Sequence, residues 1–371
     1  MKLYREPYCS PVREWNETVP NDGLLRYLGF FNAERIVLTS PDALHEVLVT
    51  KNYSFPKPAC LRETAGQKEY KSCFCTTKYQ GTISAILIQD LADDRQDKAN
   101  GDETIEIEEW TSRITLDLIG VAGLGRDFGA IQDEKIELVK TYNVVFQPSA
   151  QARMLHLIES LVLAWVLTAL PIKFNSDISQ TARSIRKTCR AIIVSKQKKR
   201  KEKKPEDMDI MSGAIRTGTF TEEGLIDQAM ALLEAGHDTT GAAFTWGVYL
   251  LAKHPDIQDR LRQEICQRLP PLQASKGSPI SSVNSDSMPY LQAVCSEILC
   301  FYAPVPQTLR EAAHDITILD HFIPKGTRIV IAPWATNRST KLWGADAHVF
   351  KPGRWFHERA EGLYWTVVCE G

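Results

Sequence analysis

The chain has no Cys-x-x-Cys pair among its nine cysteines, and their number is odd. In 371 residues this excludes a secreted disulfide scaffold and favours reduced thiols. There is no excess of one charge either. Lys and Arg number 44 against 46 Asp and Glu, a net charge of −2, so the chain as a whole is no polyanion binder. The N-terminus, MKLYREPYCSPVREWNETVPND, lacks the apolar core of a signal peptide. The most apolar window, Met154–Ile172, contains His156, Glu159 and Trp165 and is interrupted by Pro171. A membrane span needs about 20 residues with few or no charges, so this window reads as a buried or membrane-touching helix. Internal repeats are absent. What is present is 43% hydrophobic and 24% charged residues, enough for a sizeable core and unlike a disordered or collagen-like chain.

Leu24–Phe30 and Arg35–Leu38 read as two short strands of a hairpin turning at Phe31–Glu34. Ser40 then caps a short helix with Pro41 at its first position and Ala43, Leu44, Val47 and Leu48 on its apolar face. Residues 59–80 have no usable period. Thr104–Gly120 is helical in pattern, and Gly120, Gly123, Gly125 and Gly129 loosen the chain at its C-terminal end. Lys196–Lys204 (KQKKRKEKK) is the one strong charge block. With no interleaved aromatics and a negative net charge, it reads as a solvated helix end and loop rather than a nucleic-acid patch, so no nucleic-acid partner is expected.

Thr221–Lys253 is the longest helical pattern. Thr221 is its N-cap, Glu222 and Glu223 favour its positive end, and His254-Pro255 stops it. A second helix covers Pro289–Tyr302. Beyond it Ile316–Ile318, His321–Ile323 and Thr327–Ile331 read as β runs, divided by turns at Leu319-Asp320 and Pro324-Lys325-Gly326. From Trp334 the chain reads as irregular. The class is mainly α with a small β part.

The centre of the long helix is Ala235-Gly236-His237-Asp238-Thr239-Thr240-Gly241. Each glycine costs about 1 kcal/mol relative to alanine in a helix, and Asp and Thr compete for its backbone hydrogen bonds. Two accounts fit: a surface kink with solvated polar groups, or a place where something approaches the backbone and meets a hydroxyl and a carboxylate.

Ala235 to Thr240 resembles the oxygen-activation motif in the central helix of the cytochromes P450, the haem-thiolate monooxygenases. The segments after it resemble the family in order. Leu250–Pro255 looks like the end of that helix and Leu261–Ile265 like the next. Met288–Val294 with Glu297 looks like the helix bearing Glu-x-x-Arg. Pro304-Val305-Pro306, Arg310-Glu311-Ala312, Trp343–Ala347 and Phe350–Trp355 look like the segments leading to the haem loop. Upstream, Gly23–Pro58 and Trp110–Phe128 also match. The chain is thus read as a single incomplete P450-like domain over 1–371, recognisable at 23–58 and 104–356, with 59–103 and 357–371 unplaced.

The resemblance implies haem held by a thiolate, NADPH-derived electrons delivered through a cytochrome reductase, and insertion of one oxygen atom into a small apolar organic substrate. In a fungal-style member that substrate is a secondary metabolite or a xenobiotic. By the same resemblance, Thr239 hydrogen-bonds the bound oxygen or a water and Asp238 relays protons. Gly236 lets the haem approach the backbone, and Arg310 pairs with a propionate. The expected location is the cytoplasm, with peripheral contact at the endoplasmic reticulum surface left open.

Four departures qualify this. Glu-x-x-Arg appears as Glu297-Ile298-Leu299-Cys300, so the helix loses the arginine that pairs with the glutamate. Arg354 is expected to reach Glu297 all the same, with Cys300 leaving a gap. The meander glutamate appears as Gly353. Residues 59–103 hold no counterpart of the family's Trp-x-x-x-Arg. In the haem loop, Phe-x-x-Gly-x-Arg-x-Cys-x-Gly, the Phe, Gly and Arg positions hold Gly362, Trp365 and Val367, and only Cys369 and Gly371 match. No iron ligand is assigned. The expectation is a truncated chain, impaired as given. The alternative is a non-catalytic remnant that binds no haem.

Overall fold

The computed structural model describes residues 10–29, 34–58, 106–132, 173–202, 209–268 and 287–356. Met154–Ile172, the stretch 59–103, Lys203, Lys204 and Cys369 lie outside the described residues. The chain divides into two units, one of Met1–Lys68 with Trp246–Gly371 and one of Glu69–Thr245.

The first unit opens with helix α1 (Ser10–Thr18), which the polar N-terminal sequence does not advertise. Strands β1 (Leu24–Leu28) and β2 (Glu34–Leu38) come next and pair antiparallel, Leu24 opposite Leu38. Helix α2 (Pro41–His45) starts as its sequence predicts: Ala43 N–H donates to Ser40 Oγ at 3.2 Å, and Pro41 occupies the first position, where a missing N–H costs nothing.

The second unit contains helix α3 (Ile107–Leu124). It runs one turn past the expected end at Gly120. Gly125 is what stops it, with φ of 63°, a left-handed conformation that glycine adopts freely. Asp117 of this helix holds the next loop, accepting from Ala130 N and Ile131 N at 2.9 Å each. Beyond it lie helices α4 (Lys173–Lys201) and α5 (Ile210–Thr217), and Leu116, Leu124, Cys189, Ile193, Ile226 and Leu233 form a common core. The basic block at the end of α4 is not uniformly solvated. Lys198, Arg200 and Lys201 are exposed, but Lys196 is buried, its Nζ 2.6 Å from Asp209 Oδ2. Asp209 also caps α5, accepting from Ser212 N at 2.9 Å. A carboxylate fixed at a helix N-terminus thus draws one lysine of the run inward, which charge pattern alone does not reveal.

Helix α6 (Glu222–Lys253) is unbroken. Gly224 N donates to Thr221 Oγ1 at 3.1 Å, confirming the expected cap. Its residues to Thr245 belong to the second unit and those from Trp246 to the first. In the first unit Trp246 stacks on Tyr302, ring centroids 3.8 Å apart. Helices α7 (Pro255–Arg268) and α8 (Pro289–Phe301) share a core of Ile257, Leu261, Leu291 and Val294 with Leu250 of α6.

Strands β3 (Thr308–Glu311), β4 (Ile316–Ile318), β5 (His321–Ile323) and β6 (Arg328–Ile331) complete the β part. The sheet order is β1-β2-β6-β3, with β2 and β6 parallel and Arg310 of β3 opposite Ile329 of β6. Successive residues of a strand face opposite sides. Ile36, Leu38, Ile329 and Ile331 therefore join Leu44 and Phe55 in one core, while Val37 and Val330 join Val12 and Ala335 in another. Strands β4 and β5 form a separate hairpin whose two turn residues, Leu319 and Asp320, have φ of 45° and 67°. Two successive positive φ angles suit a tight hairpin. Leucine is an uncommon choice there, and its N–H donates to Glu46 Oε2 at 2.9 Å. The expected irregular end contains two short helices, α9 (Pro333–Thr336) and α10 (Thr340–Trp343). The fold is mainly helical with a small β part.

Candidate functional site

Thr239 donates its hydroxyl to the carbonyl of Ala235, one turn back, at 2.5 Å. Ala235, Asp238, Thr239 and Ala242 recur at intervals of three and four along α6 and so share a face. Ala235 and Asp238 are exposed, and Thr239 and Ala242 are half-buried. The result is an open stripe of small residues carrying the Thr239 hydroxyl and the Asp238 carboxylate, with Glu234 exposed one turn before Asp238. The Asp238 carboxyl group lies on this exposed face. Enough protein still surrounds its carboxyl for desolvation to raise its pKa, and the charge of Glu108 adds to the rise. Ala235 is the member that sequence reasoning missed. Its signal is its position four residues before a threonine.

Gly236 and His237 lie on the other side of α6, against α3. A Cβ at Gly236 would come 2.6 Å from Ile119 Cδ1, so the lack of a side chain is required by helix packing. His237 is buried, its Nε2 3.0 Å from Ser112 Oγ. Burial lowers its pKa to about 4, against a smaller opposing pull from the Ser112 backbone. The ring is therefore neutral at physiological pH. Thr111 and Thr245 join hydroxyls across the same interface at 2.9 Å. The motif thus has two faces with two tasks: Gly236 and His237 seat the helix, and Ala235, Asp238 and Thr239 are presented. The structure shows no local distortion of the helix there.

In the first unit, Glu297 of α8 is buried and accepts four donor contacts. Arg354 Nε lies 3.1 Å from Oε2 and 3.2 Å from Oε1, Trp355 Nε1 lies 2.8 Å from Oε2, and Lys351 N lies 2.8 Å from Oε1. Burial raises the Glu297 pKa, while these donors pull it down. Arg354 is itself fixed, donating to the carbonyls of Asp346 and Val349 at 2.9 Å each. The expected Glu297–Arg354 pair is therefore made. The expected gap at Cys300 is not. Cys300 packs with Ala293, Trp343 and Trp355, and its Sγ lies 3.7 Å from Asn337 O. Trp355, the residue next to Arg354, takes up an acceptor position on the glutamate. A Cβ at Gly353 would meet nothing within 4 Å, so the position has open space for a side chain.

Arg310 is half-buried on β3 and donates within its own strand, to Thr308 Oγ1 at 3.3 Å and Leu309 O at 3.2 Å. Burial lowers its pKa, and no carboxylate pairs with it among the described residues. Among the described residues no cluster of His, Cys, Asp and Glu is arranged to hold a metal ion. No described helix is long and apolar enough to cross a membrane.

The family described as cytochrome P450 matches residues 82–364. The chain is 39% identical to cytochrome P450 monooxygenase sphH of Aspergillus fumigatus, over 93% of this chain and 68% of the relative. It is 35% identical to cytochrome P450 monooxygenase FUM15 of Gibberella moniliformis, over 96% of this chain and 66% of the relative. It is 34% identical to cytochrome P450 monooxygenase ALT8 of Alternaria alternata, over 96% of this chain and 68% of the relative. The chain thus spans about two thirds of the length of these relatives. With the motif helix, the Glu297–Arg354 pair and these matches together, the chain belongs to the cytochrome P450 family, with monooxygenases of fungi among its relatives.

Proposed function

We propose that the chain carries the distal machinery of a P450 monooxygenase that hydroxylates a small apolar organic compound of fungal secondary metabolism. We further propose that it is impaired on the thiolate side. The observation that carries the first part is the Thr239–Ala235 hydrogen bond beside Asp238 on the open face of α6. The described residues fit a haem in two respects. The α6 face offers small side chains where a flat ligand can approach, and Arg310 is a half-buried cation suited to a carboxylate.

Haem, when bound, supplies the iron at which dioxygen is reduced by two electrons, derived from NADPH and passed on by a reductase. One oxygen atom enters a substrate C–H bond and the other leaves as water, so two protons must be delivered. Asp238, with its raised pKa, exchanges protons with solvent at its carboxyl group. Thr239 orients a donor through its hydroxyl, whose own proton is anchored on the Ala235 carbonyl. Arg310 binds one carboxylate of the cofactor by charge and hydrogen bonding. Glu297 and Arg354 act on structure, tying α8 to the segment that leads into the C-terminal stretch.

The impairment rests on residue identities. Gly362, Trp365 and Val367 occupy the positions of the Phe, Gly and Arg that frame a family thiolate. Basic and backbone donors around a ligating sulfur tune it, and none is supplied by these side chains. The test is NADPH-dependent turnover of the full chain with a fungal reductase and a panel of apolar substrates. The proposal expects low turnover that rises in the combined variant Gly362→Phe, Trp365→Gly, Val367→Arg. Full turnover by the unaltered chain refutes the impairment. A folded chain that binds no haem in either form supports the second reading, a non-catalytic remnant, for which the missing haem-loop signature at Gly362, Trp365 and Val367 is the favouring observation.

A further inference from the structure

Glu223, Asp227, Glu234 and Asp238 recur along one side of α6, at spacings of four, seven and four residues. In a helix of about 3.6 residues per turn, those spacings return each carboxylate to nearly the same face. Helix α4, in the same unit, supplies cations to the first half of this row. Arg186 Nη2 lies 2.5 Å from Glu223 Oε2 and its Nη1 2.5 Å from Asp227 Oδ1, while Arg190 Nη2 lies 2.7 Å from Glu223 Oε1. Arg186 Nη1 also lies 3.7 Å from Met230 Sδ, one turn before Glu234. There the pairing stops. Among the described residues neither a cation nor a hydrogen-bond donor meets Glu234. Asp238 has its part in the proton delivery proposed above, so Glu234 is left with neither a partner nor a task. The environments differ accordingly. Hydrogen bonding to Arg186 holds the Glu223 carboxyl below the usual range, while desolvation alone raises that of Glu234. Glu234 is open to solvent and yet partly desolvated, the setting of a recess and not of a protruding surface.

We propose that Glu234 is a specificity residue that receives a cationic amino group of the substrate, so that the compound acted upon is an apolar amine. This rests on the reading of the Ala235, Asp238 and Thr239 face as the place where substrate and oxygen meet. Glu234 precedes Asp238 by one turn, about 6 Å along the helix axis. A carboxylate at that point fixes the charged end of an apolar molecule and leaves the rest of it to lie along the small side chains at Ala235 and Thr239. The amine then does for Glu234 what Arg186 and Arg190 do for Glu223: it offsets the cost of taking a charge out of water. A neutral substrate leaves that cost in place.

The experiment titrates the full, haem-supplied chain with decyltrimethylammonium and with N,N-dimethyldecylamine N-oxide, which is nearly isosteric but has no net charge. Calorimetry is the readout, so no turnover is needed. The quaternary nitrogen has a permanent charge and no lone pair to take the haem iron. The unaltered chain is expected to bind the cation about threefold to tenfold more tightly, the range of a partly desolvated ion pair. Glu234→Gln is expected to abolish that preference while keeping affinity for the N-oxide. Glu223→Gln removes the same charge from the paired half of the row and is expected to keep the preference. Equal affinities in the unaltered chain, or a preference that survives Glu234→Gln, overturn the inference, while binding of the N-oxide leaves the substrate-face reading standing. An equal loss in Glu223→Gln overturns it too, because net charge would then account for the preference. Binding of neither probe overturns the substrate-face reading and this inference with it.

Discussion

Arg354 Nε lies 3.1 Å from Glu297 Oε2, in a pair that leaves 11% and 2% of the two side chains exposed. The glutamate belongs to α8 and the arginine to the turn at Pro352–Phe356, so one contact ties the two segments together. Removing one partner of a buried pair leaves the other desolvated and uncompensated. Glu297→Gln should therefore lower unfolding stability by about 3–5 kcal/mol, read from a urea midpoint at constant slope. A loss below about 1 kcal/mol, the level of a surface pair, would mean that the contact is not maintained in solution.

Cys300→Arg restores the family's Glu-x-x-Arg in sequence but not in space. The thiol site is filled by Ala293, Trp343 and Trp355, and Glu297 already takes donors from Lys351, Arg354 and Trp355. The larger, charged side chain has to displace an indole, and overpacking of a core costs about 1–3 kcal/mol. The expected outcome is a lower Tm. A higher Tm would show that arginine replaces Trp355 on the carboxylate without loss of packing.

Gly236→Ala should destabilise the second unit by about 1–3 kcal/mol, because the new Cβ meets Ile119 Cδ1 at 2.6 Å. Ile119→Ala deletes that atom and also Cγ1, which would lie 2.8 Å from the new Cβ. The double variant should then be more stable than the sum of the two single losses, a coupling that a double-mutant cycle measures directly. Strict additivity would remove Ile119 as the reason for the glycine.

The division of labour along α6 shows what the sequence can and cannot disclose. The cap at Thr221, the length of the helix and the oddity of its centre are all local, so they are legible. Which side of the helix each motif residue occupies depends on α3, so the closeness of Gly236 to Ile119 is not legible in the sequence. The hairpin at Leu319-Asp320 is legible from alternation and turn residues. Strand β3 is not, because all four of its residues are half-buried and show no alternation. Cys300 reads as a gap because one residue is compared with one missing arginine. The indole of Trp355 fills the role from another part of the chain.

His237 gives a pH prediction. Its folded-state pKa is lowered from 6.5 to about 4 by burial. Between those values the unfolded chain binds a proton that the folded chain does not, so stability falls as pH drops from about 6.5 toward 4. The full effect is on the order of 3 kcal/mol. Unfolding free energies measured from pH 7 to pH 4 should show this slope, and His237→Gln should reduce it. An unchanged slope in the variant would assign the acid sensitivity to other groups.

The most direct test of the haem-site reading is the carbon monoxide spectrum of the reduced, haem-supplied chain. Haem should bind, and the unaltered chain should show no stable red-shifted Soret band of the thiolate type. The variant carrying Gly362→Phe, Trp365→Gly and Val367→Arg should gain the band. A stable thiolate band in the unaltered chain, lost on Cys369→Ala, would contradict the proposed impairment and make Cys369 the iron ligand.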